Sequence, residues 1–174
     1  MSELIRYVAP TNEIVAPLCA MAREAFSDTF GHLYDREPFD RYLDEAYGPG
    51  GSMERGIVDA TIRWIVAMSG DQPIGYAKLS ALVAPAPAPR SGAMELRQIY
   101  VDKRWHGRGV GDALIEWALD TARSEGAPEI YLTVFVHNAR AKRFYTRYGF
   151  SEVGHCVFMM GDHVDDDRVW RKEL

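Results

Sequence analysis

Between Ala93 and Phe150 the apolar pattern changes period in a fixed order, and that order restricts the fold more than any other feature of the chain. Ala93 to Val101 reads as a strand. From Gly109 the residues Val110, Ala113, Leu114, Trp117, Ala118 and Thr121 fall on one helical face, and Gly126 with Pro128 ends the run. Ile130 to Val136 is a continuous apolar stretch of strand length, and a helix from Asn138 carries Ala141, Phe144, Tyr145 and Tyr148 inward until Gly149 closes it. Strands separated by helices cannot be hairpin partners; they predict parallel neighbours with helical crossovers in an α/β fold.

The remaining segments add to that sheet. Leu4 to Val8 reads as a first strand, followed by a helix capped by Thr11 that ends near Gly31. Shorter helices are expected over Phe39 to Tyr47, stopped by the Gly48 to Gly51 cluster, and over Met53 to Ala60. Ile62 to Met68 and Ile74 to Val83 read as a hairpin, and residues 84–92 (APAPAPRSG) as a stiff, extended loop tip. Two final strands are expected at Phe150 to Met160 and Asp167 to Lys172, with the Asp165-Asp166-Asp167 run as the turn between them. The 174 residues fit one domain, 1–174, around a single core.

Charge narrows the partners. The net charge of −5 argues against nucleic acid, whose phosphates need a basic face. Residues 1–60 hold eleven acidic and five basic side chains, whereas residues 103–147 hold eight basic and five acidic, so one end suits cations and the other anions. Cys19 and Cys156 are too few and too far apart for a disulfide framework, and the five histidines lack the tight spacing of a zinc site, so no metal is expected. The amino terminus has no signal-peptide character and no apolar run reaches membrane-spanning length, which predicts a cytoplasmic protein without a membrane partner.

The chemistry concentrates in the passage from strand to helix. After Ile99, Tyr100 and Val101 come Asp102, Lys103, Arg104, Trp105, His106 and then Gly107-Arg108-Gly109-Val110-Gly111-Asp112. Alternate glycines let the backbone approach a ligand, and the first amides of a helix point at it with the positive end of the dipole. Arg104 and Arg108 add charge, so a pyrophosphate is the expected guest. Taken alone, such a cluster is often only a tight turn.

Together with Asn138-Ala139-Arg140-Ala141-Lys142-Arg143-Phe144-Tyr145-Thr146-Arg147-Tyr148-Gly149-Phe150, the passage resembles the two-part signature of the GNAT N-acetyltransferases. His106 departs from it, standing where that family usually has Arg or Gln. More loosely, Phe26-Ser27-Asp28-Thr29-Phe30, Tyr42-Leu43 and Phe158-Met159-Met160-Gly161-Asp162 resemble the PaiA-type polyamine acetyltransferases.

The resemblance implies a mixed, twisted sheet of six or seven strands flanked by helices, and direct transfer of an acetyl group from acetyl-CoA to a primary amine such as a polyamine. Backbone groups of Ile99, Tyr100 and Val101 would pair with the pantetheine arm. His106, Gly107, Arg108, Gly109, Val110, Gly111 and Asp112 would hold the pyrophosphate. Asn138, Ala141 and Phe144 would line the arm, and Tyr145 would protonate the leaving thiolate. Glu95 is the candidate base, six residues before Val101 and so on the same strand face. Plainer readings stand beside these roles: Tyr145 as a core aromatic, and Glu95 as an ion-pair partner of Arg97 or Lys78. Dimers are common in the family, so a homodimer fits the resemblance.

Other readings share parts of the pattern. A protein, peptide or aminoglycoside-type acceptor would use the same coenzyme site, and a noncatalytic CoA-binding sensor would keep the loop without the proton transfers. A dinucleotide-binding Rossmann domain fits less well, because Gly107-x-Gly109-x-Gly111 has the wrong spacing and follows a meander.

Overall fold

The changes of period land on real elements in the computed structural model, which describes residues 4–174. The strands are β1 (Ile5–Val8), β2 (Arg63–Ser69), β3 (Gln72–Ala81), β4 (Met94–Val101), β5 (Glu129–Phe135), β6 (Ser151–Met160) and β7 (His163–Glu173). The helices are α1 (Val15–Phe30), α2 (Arg36–Tyr47), α3 (Ser52–Val58), α4 (Val110–Ser124) and α5 (Ala139–Arg147). All seven strands join one mixed sheet in the order β1-β2-β3-β4-β5-β7-β6, flanked by helices as expected. β4 and β5 run parallel, while β1–β2, β5–β7 and β6–β7 are antiparallel. By its internal contacts the chain divides into two compact units, one running through Lys78 and including Gln98–Trp117, the other comprising Leu79–Arg97 and Ala118–Leu174.

In the first unit, Gly75 decides how α4 meets the sheet. A Cβ there would stand 3.0 Å from the Tyr100 carbonyl and 3.3 Å from Val110 and Leu114, so α4 sits flush on β3 because that position has no side chain. Tyr76, the next residue, points to the opposite face and stacks between Trp64 and Tyr100 at 5.8 and 5.9 Å. On that face Phe26 of α1 gathers Phe39, Tyr42 and Tyr47 of α2 into an aromatic cluster. Thr11 is not the side-chain cap expected of it: a 3-10 turn over Asn12–Ile14 intervenes, only its carbonyl is used, accepting from the Ile14 amide, and α1 begins at Val15.

In the second unit, Ala93, Tyr131 and Val169 form a buried cluster, and Leu82, Ala86 and Cys156 pack against it. Residues 84–92 are therefore not a projecting tip. Pro87 lies over Gly154, where a Cβ would meet its ring at 3.3 Å, and Arg90 is tied to the buried Glu129. The alanines and prolines give this segment enough apolar surface to serve as a cover, a use that composition alone does not reveal.

The reading of Asp165 to Asp167 as a turn is also corrected. The turn falls at Gly161 and Asp162, with Gly161 at φ +58°, and β7 begins at His163. Asp residues disfavour strands intrinsically, but these lie opposite Cys156, Val157 and Phe158 of β6, and Asp167 also opposite Phe135 of β5. Tertiary pairing overrides the propensity.

Candidate active site

In the first unit β4 delivers Ile99, Tyr100 and Val101 straight into the glycine loop. Asp102 ends the strand: its amide donates to the Ile74 carbonyl, and its buried carboxylate accepts the Arg104 main-chain amide at 2.9 Å and the guanidinium Nε at 3.0 Å. The Arg104 side chain, outweighing the opposing effect of burial, holds the Asp102 carboxyl below its ordinary value. Arg104, expected to supply charge for a ligand, spends its fork on this internal bond. Lys103 is likewise tied to Asp28 of α1 at 2.9 Å.

The loop itself keeps the geometry that anion binding needs. Gly107 and Gly109 adopt φ values of +73° and +80°, in the left-handed region that L side chains resist, although a Cβ at either position would meet nothing within 4 Å. Their role is conformational. The Ala113 amide donates to the Gly109 carbonyl, so α4 opens directly on the glycine bend and turns the positive end of its dipole toward it. Asp112 lies in that turn. Arg108 is exposed and stacks over Trp105, its guanidinium carbon 5.1 Å from the ring centroid.

His106 contributes something the sequence did not suggest. Its Nε2 is 2.8 Å from the Val101 carbonyl, which can only accept, so Nε2 carries the proton in this contact. The imidazole ties the loop back to the end of β4.

In the second unit Asn138 caps α5, its side-chain oxygen accepting from the Ala141 amide at 3.1 Å. Phe144 and Tyr145 meet edge to face at 5.4 Å, and Tyr145 meets Phe150 in the same way at 5.9 Å. Tyr145 is buried, which pushes its hydroxyl above its ordinary value, and that hydroxyl makes no hydrogen bond among the described residues. Glu95 is buried as well, with Oε2 accepting the amides of Val83 and Ala84, both at 2.8 Å, and Oε1 3.5 Å from Arg97 Nε.

Glu95 lies opposite Tyr131 and shares its face of the sheet. The end of α5 belongs to the other face: a Cβ at Gly149 would stand 3.0 Å from Lys172 Nζ, and Lys172 lies opposite Ile130. Of the basic residues on α5, Arg147 packs over Phe144 and Tyr148. Among the described residues no group of three or more His, Cys, Asp or Glu is placed to hold a metal, and no helix is long and apolar enough to cross a membrane.

A strand entering a left-handed glycine bend that opens a helix, followed by a parallel strand and a second capped helix, is an α/β arrangement in which the helix start can receive an anionic group. The profile of the acetyltransferase (GNAT) family matches residues 19–150, and the chain belongs to that family. It is an acetyl-CoA-dependent N-acetyltransferase.

An uncharacterised N-acetyltransferase from the pepI 3' region of Lactobacillus delbrueckii subsp. lactis is 26% identical over 170 residues, 98% of both chains. Another from Mycobacterium tuberculosis is 38% identical over 81 residues, 47% of this chain and 52% of that one, so this match spans about half the relative's length. Among solved structures, the PaiA N-acetyltransferase of Thermoplasma acidophilum in complex with coenzyme A superposes with a TM-score of 0.75 at 21% identity, covering 98% and 99% of the two chains. That likeness is one of fold.

Proposed function

We propose that the chain transfers the acetyl group of acetyl-CoA directly to a primary amine, with a polyamine as the first acceptor to try. The observation that carries the reading is the left-handed bend at Gly107 and Gly109, which leads straight into the start of α4, where the helix dipole suits a diphosphate. In this reading His106, Gly107, Arg108, Gly109, Val110, Gly111 and Asp112 hold the pyrophosphate, and the backbone of Ile99, Tyr100 and Val101 pairs with the pantetheine arm as an added strand would. The Val101 carbonyl has two lone pairs, so an arm amide either shares it with His106 or displaces the ring. Asn138, whose oxygen is used in the cap, keeps its amide hydrogens for the arm, and Ala141 and Phe144 line it.

Tyr145 donates the proton that the leaving thiolate needs. Its buried, unpartnered hydroxyl stays protonated at working pH, which suits an acid. The amine must first lose a proton to a carboxylate before its lone pair can attack the thioester. Support for a cationic acceptor comes from the acidic excess of residues 1–60 and from the flanking resemblance to polyamine acetyltransferases. The protein would work in the cytoplasm as one catalytic domain, alone or as a homodimer.

Calorimetry with coenzyme A and acetyl-CoA, followed by thiol release from acetyl-CoA with spermidine, an amino-terminal peptide and an aminosugar, tests the proposal. Heat with either coenzyme and turnover of spermidine are expected. No heat with either would refute it, and turnover of the peptide or aminosugar alone would reassign the acceptor.

A further inference from the structure

Glu95 is poorly placed to accept a proton from a substrate. A base must aim a lone pair at the amine, yet one oxygen of Glu95 already receives two main-chain amides, the other lies beside Arg97, and only 6% of the residue is exposed. Its evident work is to anchor residues 83 and 84, where the covering segment leaves β3.

The same face of the sheet carries a second carboxylate. Asp167 on β7 lies directly opposite Phe135 on β5 and Cys156 on β6, and Thr133 lies opposite Val169, so these side chains stand on the Tyr131 face. Tyr131 and Val169 are fully buried in the cluster that Leu82 and Ala86 pack against, whereas Thr133, Phe135, Cys156, Phe158 and Asp167 are only half-buried. The cover ends and a shelf remains open. On that shelf the Asp167 carboxylate accepts no hydrogen bond and meets no cation at ion-pair distance among the described residues. A partly desolvated carboxylate without a partner is unfavourable unless something cationic visits it.

We infer that Asp167 takes the proton from the acceptor amine, whose nitrogen comes to the shelf formed by Phe135 and Asp167. This rests on the reading of the chain as an enzyme of direct amine acetylation. The end of α5 lies on the opposite face of the sheet, so the nucleophile and the departing sulfur are served from opposite sides.

Each proton is accounted for. The ammonium gives one to an Asp167 oxygen, and the freed lone pair forms the C–N bond at the thioester carbonyl. On collapse the C–S bond breaks and the thiolate takes the Tyr145 proton; the nitrogen gives its second proton to solvent, and the tyrosinate regains one from solvent. Asp167 then releases its proton to solvent.

Burial, reinforced by the charges of Asp165 and Asp166, pushes the Asp167 carboxyl up to about 6. The other groups of this unit near it are Asp165, bonded to His163; Asp166, bonded to Arg168; and the Cys156 thiol, which burial and the charges of Asp167 and Glu95 push up. An acid limb near pH 6 is therefore expected in the rate, with Asp167 competent above it.

The test compares Asp167→Asn with Glu95→Gln and the unaltered protein, using acetyl-CoA and the best acceptor among spermidine, an amino-terminal peptide and an aminosugar. Asp167→Asn is expected to lower kcat about 100-fold, abolish the limb near pH 6, leave acetyl-CoA affinity by calorimetry within about twofold and not lower the Tm at pH 8, since a costly charge is removed. Retention of rate and limb in Asp167→Asn overturns the inference alone. A fall in rate that leaves the limb in place, or that comes with an equal loss of coenzyme affinity, also overturns it. Coenzyme binding without turnover of any acceptor by the unaltered protein overturns the parent reading and the inference with it.

Discussion

Glu129 and Arg90 are joined twice: the Arg90 main-chain amide donates to Glu129 Oε1 at 2.7 Å and its guanidinium Nε donates to Oε2 at 3.0 Å. The Tyr131 hydroxyl adds a third bond at 2.8 Å. One carboxylate, 1% exposed, thus fastens the far end of the covering segment to β5, as Glu95 fastens its near end from β4.

Replacing Glu129 with Gln should cost roughly 1–3 kcal/mol, because the buried Tyr131 hydroxyl and the Arg90 amide and guanidinium lose a charged acceptor. Burial works against the Glu129 charge, but the bonds from Arg90 and Tyr131 outweigh it and hold the carboxyl below its ordinary value of 4.5. For a depressed carboxyl the stabilising contribution is present above the unfolded value and lost as pH falls through the folded one. Urea melts at pH 7 should show the full difference between Glu129→Gln and the unaltered protein, and melts below pH 4.5 a smaller one. An equal difference at both pH values would contradict the assignment.

Much of this architecture was legible because the β-α-β-α run between Ala93 and Phe150 makes each element declare itself by period and each boundary by a glycine or asparagine. Gly107, Gly109 and Asn138 could be read from position alone, since backbone conformation and capping are local requirements. What depended on tertiary pairing could not be read. Asp165 to Asp167 look like a turn until β5 and β6 flank them, and residues 84–92 look like a projecting loop until Glu95 and Glu129 are seen to hold both ends. Asp167 was missed for this reason: its significance comes from facing Phe135 and Cys156 without a partner, which no spacing encodes.

Gly75→Ala should be one of the most damaging small substitutions in the first unit. The added methyl would meet the Tyr100 carbonyl at 3.0 Å, backbone that cannot swing aside, as well as Val110 and Leu114 at 3.3 Å. Overpacking of this kind costs about 1–3 kcal/mol. Val110 opens α4, so the displacement also reaches the loop before it, and calorimetry should show weaker coenzyme binding as well as a lower Tm. Unchanged binding would mean that the loop is positioned independently of α4.

Gly107→Ala and Gly109→Ala should behave differently from that. Neither methyl would collide with anything, but each residue would be held at φ +73° or +80°. The left-handed conformation costs an L residue about 1–2 kcal/mol, which corresponds to roughly a 5- to 30-fold loss of coenzyme affinity if the bend is needed for binding. Gly109→Asn should recover part of it, because Asn tolerates that region better. Titration of each variant with coenzyme A decides the matter: equal losses in the alanine and asparagine variants would place the effect in the side chain and not in the backbone.

Tyr145→Phe separates chemistry from packing. The ring is fixed by Phe144 and Phe150, and the hydroxyl has no protein partner among the described residues, so its removal should leave the Tm unchanged within a degree or so. A general acid contributes on the order of 100-fold, so kcat should fall by about that factor while the Kd for acetyl-CoA moves less than about twofold. Burial raises the hydroxyl above its ordinary value of 10.0, which keeps it protonated at neutral pH, so the loss should be nearly constant from pH 6 to pH 9. Thiol release measured across that range is the check. A variant that turns over normally would leave Tyr145 as a core aromatic, and one that loses coenzyme affinity and turnover in equal measure would make it a wall of the binding channel.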